Sequence, residues 1–223
     1  VTDKDGDSIK LKDKGDGRFT FTMPASQVTI GVSFQESVSS VDSFVDVDEN
    51  AWYYQAVQYM VENGLMSGTS ATTFSPNTTL SRGMIAQMLY ALEGKPSTQG
   101  SSFTDVASGA WYADAAAWAQ ANQVITGYDN GAFGPDDPLT REQLTLILYN
   151  YARLKGYEVS ARGDLSAFVD GHTTSSWAQE SMTWAVGAGL LSGKGLGMLH
   201  PTGTATRAEV AQIMMNFCET VAK

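Results

Sequence analysis

The stretch FTDVASGAWYADAAAWAQANQVITGYDNGAFGPDDPLTREQ, residues 103–143, carries a pattern that occurs three times in this chain of 223 residues. In each copy a tryptophan precedes an arginine by 30 positions, and a glycine and a proline lie 16 and 24 positions after the tryptophan. An aspartate stands just upstream in a Phe-x-Asp sequence. Fixed spacing in three divergent copies predicts one structural unit used three times. The recurring positions are Trp52, Trp111 and Trp177; Gly68, Gly127 and Gly193; Arg82, Arg141 and Arg207; and Asp46, Asp105 and Asp170.

Each copy is expected to form a helix, a loop rich in Gly and Pro, and a second helix. The first helix is predicted to open at the tryptophan and the second at the arginine. Apolar residues recur at helical spacing along each second helix, for example Leu144, Ile147, Leu148 and Tyr151. Such stripes are buried best when three equivalent helices pack against one another. The predicted fold is mainly α, a pseudo-threefold assembly of three helix-loop-helix repeats around a central three-helix bundle, with clefts between the copies and a short N-terminal β segment.

Residues 1–35 differ from the repeats, because apolar and polar residues alternate over 19–22 and again over 28–34. Alternation with period two predicts strands. Two strands are too few for an independent sandwich, so this segment is expected to be the tail of a truncated β-sandwich repeat. The predicted organisation is a β segment over 1–35, a linker over 36–43, and repeats over 44–95, 103–155 and 168–222.

The arginines are predicted to occupy the first position of each second helix. Thr140 with Gln143 and Thr206 with Glu209 both fit a capping box, which fixes the helix start. The first copy keeps a cap at Ser81 but lacks the acid or amide, which predicts a looser start. A cation at the positive end of a helix is unfavourable by roughly 0.3–1 kcal/mol. Its presence three times suggests an anion held jointly by the guanidinium and the helix N-terminus. The alternative is a structural ion pair between each arginine and an aspartate.

The repeated tryptophans and glycines each allow two interpretations. A tryptophan that opens an amphipathic helix is more often a core residue, yet an indole edge also stacks well on a sugar ring. The glycines indicate loop geometry, and they would also let a ligand approach the backbone closely.

Together, Phe-x-Asp-Val, the tryptophan, the Gly and Phe-x-Pro loop and Thr-Arg-Ala-Glu resemble the S-layer homology domain in its usual set of three. The resemblance covers residues 44–222. Residues 206–209 carry the family motif unaltered, residues 140–143 are a close variant, and residues 81–84 are a degenerate one. The third copy also has Leu199 where the other two have phenylalanine. Residues 19–26 resemble the closing strands of a bacterial surface repeat with an immunoglobulin-like fold.

The resemblance implies an exported module that anchors its protein to the bacterial cell wall or S-layer without a covalent bond. In this family the ligand is secondary cell wall polysaccharide, often bound through a pyruvate ketal on a terminal N-acetylmannosamine. The resemblance implies that the arginines bind the carboxylate and that the tryptophans and glycines form the walls of the pockets. It implies that the aspartates accept hydrogen bonds from sugar hydroxyls or position the arginines. Because of the departures in the other copies, Arg141 is the best supported site. The residues so assigned are Arg82, Arg141, Arg207, Trp52, Trp111, Trp177, Gly68, Gly127, Gly193, Asp46, Asp105 and Asp170.

Composition excludes several classes of partner. With 24 Asp and Glu against 14 Lys and Arg, the formal charge is −10, which argues against nucleic acid or an anionic membrane surface. No apolar run approaches the roughly 18 residues of a membrane span. No cofactor or metal is expected. His172 and His200 lie in dissimilar contexts, so no enzyme is predicted. The alternative function is a self-assembly module of a surface layer, which would bind other S-layer or surface-protein chains without direct glycan binding.

Overall fold

The computed structural model describes residues 1–5, 7–13, 19–30 and 40–222. The chain divides into two compact units, Val1–Ser37 and Val38–Lys223. The larger unit is helical, and the strands of the smaller one are short.

The N-terminal unit contains four two-residue strands in the part of the chain described. Strand β1 (Thr2–Asp3) pairs antiparallel with β4 (Val28–Thr29), and β2 (Lys12–Asp13) pairs antiparallel with β3 (Phe19–Thr20). The two predicted strands therefore exist but are shorter than expected, and residues 31–34 of the second lie outside the described residues. They pair with β1 and β2 instead of with each other. Sequence reasoning missed β1 and β2 because three of their four residues, Asp3, Lys12 and Asp13, are of types depleted in strands.

The predicted linker over 36–43 is partly structured. Residues 36–39 lie outside the described residues, but Val41–Ser43 form a 3₁₀ turn capped by the Ser40 hydroxyl. The Val41 side chain is buried. This turn packs against the first helix of the first copy and so belongs to the helical unit.

Six α-helices, two in each copy, make the described part of the larger unit mainly helical. Every second helix begins at its arginine, which confirms that prediction. Every first helix begins two residues after its tryptophan, so the predicted start was early. The tryptophan instead lies in a turn closed by a hydrogen bond from residue i+3 to residue i, as from the Tyr54 amide to the Ala51 carbonyl at 3.0 Å. The helices are α1 (Tyr54–Glu62), α2 (Arg82–Leu92), α3 (Ala113–Ala121), α4 (Arg141–Lys155), α5 (Gln179–Gly187) and α6 (Arg207–Thr220).

The capping boxes explain the fixed start of two second helices. Thr140 and Thr206 each accept the third backbone amide of their helix, and Gln143 and Glu209 each accept the threonine amide. Ser81 makes no side-chain cap at the start of α2. The first copy therefore loses the whole box, including the cap that the sequence predicted it would keep.

Hydrogen bonds join the copies in a closed circuit just before the second helices. The Leu80 amide donates to the Ala205 carbonyl, the Ala205 amide to the Leu139 carbonyl, and the Leu139 amide to the Leu80 carbonyl, at 2.9–3.0 Å. Each second helix lies closest to the first helix of the next copy, pairing α2 with α3, α4 with α5 and α6 with α1. Between second helices, the rings of Tyr151 and Phe217 lie 5.9 Å apart. The central three-helix bundle stays a prediction.

Candidate functional site

The aspartates hold the middle loop of their own copy. Each carboxylate accepts two successive loop amides at 2.6–2.8 Å: Asp46 from Phe74 and Ser75, Asp105 from Phe133 and Gly134, and Asp170 from Leu199 and His200. Both carboxylate oxygens are thus already bonded to the protein. This geometry supports a positioning role.

The arginines hold the same loop of the following copy. The Nε of Arg82, Arg141 and Arg207 donates to the carbonyls of Phe133, Leu199 and Phe74 at 2.8–2.9 Å. Arg141 and Arg207 also donate from Nη2 to the carbonyls of Ser192 and Ser67, at 2.7 and 2.6 Å. The loop residue is therefore bonded through its amide to an aspartate and through its carbonyl to an arginine. The arginines thus link neighbouring copies by hydrogen bonds to backbone carbonyls. No ion pair joins one of them to an aspartate among the described residues.

Each of these three arginine residues is buried, with an exposed fraction of 3–6%. Burial lowers the pKa of all three, with Glu209 and Asp170 opposing the effect at Arg141. A guanidinium has five N–H donors, so the two used by Arg141 leave three for a ligand. A buried cation without a carboxylate partner favours an anion in the adjoining space.

The helix N-termini do not contribute to an anion site, contrary to the prediction. The first amide of α4 donates to the Gly203 carbonyl and the second to the Pro201 carbonyl, both at 2.9 Å. The equivalent amides of α2 and α6 donate to the neighbouring copies in the same way. Since these donors are already paired, they are not available to an anion.

Three clefts lie beside the arginines. Each contains the arginine of one copy together with the glycine loop and second helix of the next. The Arg141 cleft has a volume of about 430 Å³ and adds Trp52 from the remaining copy. The Arg207 cleft has about 230 Å³ and adds Trp111. The Arg82 cleft has about 80 Å³, and Trp177 is not among its lining residues. The repeated residues therefore meet across copies, whereas the aspartates line none of these clefts.

The repeated tryptophans are not core residues. Trp52, Trp111 and Trp177 are 63%, 58% and 50% exposed. Trp52 and Trp111 are each fixed by edge-on contact with the next residue, a tyrosine, at 5.2 Å between ring centroids. Alanine takes the place of that tyrosine after Trp177. An exposed indole of fixed orientation beside a cleft favours stacking over a core role.

The repeated glycines line the clefts, yet packing within the loop is what requires them. A Cβ on Gly127 would lie 2.4 Å from the Phe103 ring, and one on Gly68 would lie 2.5 Å from the Phe44 ring. Gly193 is less confined, its Cβ reaching the Met198 carbonyl oxygen at 3.0 Å. Loop geometry thus accounts for these positions.

The second helix also contributes polar residues that sequence reasoning missed. In the Arg141 cleft these are Glu209, Gln212 and Asn216, and the loop adds Lys194, whose ammonium lies 2.6 Å from Glu209. They recur at helical spacing on a face beside the apolar stripe. That spacing was available in the sequence.

Stability is expected to decrease at acid pH because of the aspartates. Burial raises the pKa of Asp105 and Asp170, but the amide hydrogen bonds outweigh it and hold each pKa below its usual range. Their contribution is therefore complete above the unfolded value of about 3.9 and is lost as the pH falls through the folded pKa. Denaturant midpoints measured between neutral and strongly acid pH should show this fall. Asp105→Asn should flatten it, because it weakens both amide bonds to the loop. Asp129→Asn changes a carboxylate that accepts no hydrogen bond in the described ranges, and it should leave the fall unchanged.

No group of three or more potential metal-ligand side chains occurs in the described ranges. Over the same residues, no helix has both the length and the apolarity needed to cross a membrane.

Comparison with known proteins identifies the repeats. The S-layer homology domain family matches residues 43–83, 102–145 and 167–211. The amylopullulanase of Thermoanaerobacterium thermosulfurigenes is 32% identical over 179 residues, which is 79% of this chain and 10% of that protein. The surface-layer 125 kDa protein of Lysinibacillus sphaericus is 28% identical over 213 residues, 94% of this chain and 18% of that protein. The chain thus spans less than a fifth of the length of these relatives. It belongs to the S-layer homology domain family, a cell-wall anchoring module, and is an extracellular protein associated with the cell wall.

Proposed function

We propose that the chain binds pyruvylated secondary cell wall polysaccharide non-covalently, in the clefts between its three repeats. The observation that carries the proposal is a buried arginine, unpaired by any carboxylate among the described residues, beside an open cleft with an exposed tryptophan. The relatives include polysaccharide-degrading enzymes and surface-layer proteins. What such different proteins share is best explained by attachment to a common wall polymer.

The proposal includes the arrangement of the repeats. We take residues 44–95, 103–155 and 168–222 as three units related by a pseudo-threefold axis, and residues 1–35 as the closing strands of an immunoglobulin-like repeat. The cyclic hydrogen bonds of Leu80, Leu139 and Ala205 support the axis. So does the cyclic pairing of each second helix with the next first helix.

The chemistry of the Arg141 cleft suits a ketal-bearing sugar. A pyruvate ketal presents a carboxylate on a compact ring fused to the sugar, and the free N–H groups of Arg141 are a charge-assisted match for it. The apolar face of the ring would stack on Trp52, while Gln212 and Asn216 would bond hydroxyl or N-acetyl groups. With about 430 Å³, this cleft alone of the three falls within the roughly 300–1,000 Å³ typical of ligand sites.

Calorimetric titration with pyruvylated N-acetylmannosamine tests the proposal, with the same sugar lacking the ketal as the control. Binding is expected to require the ketal, because its carboxylate is the only anion of the sugar that can pair with the buried guanidinium. If folded protein gives no heat with either sugar, the ligand assignment is wrong. The self-assembly alternative is then favoured. Sedimentation at several protein concentrations would test it, because self-association makes the sedimentation rate depend on concentration.

A further inference from the structure

A second cleft also has Trp52 among its lining residues. It has a volume of about 500 Å³ and is lined by residues 49–52 together with Tyr54, Gln55 and Gln58. Trp52 lines both this cleft and the Arg141 cleft, so the two clefts are neighbours. We call the side chains of Asn50, Gln55 and Gln58 the amide shelf.

The amide shelf has hydrogen-bonding capacity to spare. Gln55 is exposed, and its side chain makes no hydrogen bond within the described residues. The Asn50 and Gln58 amide nitrogens donate to Asp48 and Glu62 at 3.2 and 2.8 Å, so both are oriented with their carbonyl oxygens left as acceptors. Amide groups beside an exposed indole match the alternating hydroxyl edges and apolar faces of a sugar.

The amide shelf is confined to the first copy. The equivalent positions are Gly109, Asp114 and Ala117 in the second copy and Ser175, Glu180 and Thr183 in the third. In the third copy, moreover, Ser175 already bonds to Glu142 and Glu180 to Tyr149. The shelf thus adjoins only the Arg141 cleft, which is also the largest of the three between copies.

Charge indicates which part of a glycan the shelf would take. Its cleft includes Glu49 and no lysine or arginine, so a second anionic sugar would be repelled there. We propose that the amide shelf binds the neutral sugar preceding the terminal ketal-bearing residue, with Trp52 between the two subsites. This inference rests on the proposed function. It implies that the Arg141 cleft and the amide shelf together bind two sugars instead of one.

The test compares two probes by calorimetry. One is pyruvylated N-acetylmannosamine, and the other is the same sugar with one neutral N-acetylhexosamine at its reducing end. The wild-type chain is expected to bind the disaccharide about tenfold more tightly, from one or two added hydrogen bonds. In the double variant Gln55→Ala and Gln58→Ala this preference should disappear, while affinity for the monosaccharide stays unchanged. Both changes favour helix, so the variant should fold.

Asp114→Ala is the matched control, because it alters the equivalent position in the second copy and should keep the preference. Equal affinity of the wild-type chain for both probes would overturn the shelf alone. So would a preference that survives in the double variant. Failure of both probes to bind would overturn the proposed function and the shelf together.

Discussion

Replacing Arg141 with alanine is expected to weaken binding of pyruvylated N-acetylmannosamine by at least about 100-fold, as hydrogen bonds to charged groups contribute roughly 1.5–3 kcal/mol each. Among the described residues, Arg141 is the one arginine that lines this cleft, the largest of the three between copies. Lys194 cannot substitute for it fully, because Glu209 holds the lysine ammonium in an ion pair. Calorimetry measures the effect directly.

Arg82→Ala is the matched control, because it removes the same helix position and the same bond to a loop carbonyl. The Arg82 guanidinium lies over the Tyr128 ring at 4.6 Å, and its cleft holds only about 80 Å³. Its loss should therefore change ligand affinity little.

Both variants leave a buried loop carbonyl without its donor, so both should lower the melting temperature. The Arg141 variant removes the donor of the buried Leu199 carbonyl and of the partly buried Ser192 carbonyl, and the Arg82 variant removes the donor of the buried Phe133 carbonyl. Stability loss alone thus does not separate ligand binding from structure, whereas the ratio of the two affinities does. Equal loss of affinity in both variants would contradict the assignment of the principal site to Arg141.

Gly127→Ala is expected to destabilise the larger unit by about 3 kcal/mol or more, since overpacking and a positive φ each cost roughly 1–3 kcal/mol. Gly127 has a φ of 79°, and its added Cβ would lie 2.4 Å from the Phe103 ring and 2.7 Å from the Ala132 carbonyl oxygen. The ring itself is buried against Phe133, at 5.2 Å between centroids, and has little room to move.

Gly109→Ala isolates the steric part of this effect. Gly109 has a φ of 87°, but nothing lies within 4 Å of its added Cβ. It should therefore lose only about 1 kcal/mol, the cost of the backbone conformation. Chemical denaturation of the two variants side by side gives the comparison. If they prove equally stable, contact with Phe103 does not explain the glycine.

Local signals explain what the sequence predicted well. The starts of α4 and α6 depend on a capping box that lies within four consecutive residues. The three-copy organisation depends only on the spacing of the repeated residues. The choice of Arg141 over Arg82 used the same local signals, and it remains a prediction that the affinity ratio tests.

Contacts between distant parts of the chain explain what was missed. Nothing local to Arg141 indicates that its cleft takes Trp52 from another copy, or that carbonyls 58 residues away, such as that of Leu199, accept its Nε proton. The helix amides looked free for an anion because their partners lie in the next copy. Strands of two residues in the N-terminal unit depend on pairing instead of on strand propensity.

The circuit of amides and carbonyls through Leu80, Leu139 and Ala205 closes on itself after three copies. Open arrays such as solenoids grow by stacking and need a modified unit at each end. Here each of the three amides already has its carbonyl, and α6 of the last copy packs on α1 of the first. Duplicating the second copy would leave one unit outside the circuit with its apolar stripe uncovered. Under the proposed pseudo-threefold arrangement a fourth copy has no place in the circuit, so we expect stronger attachment to come from better clefts and not from more of them.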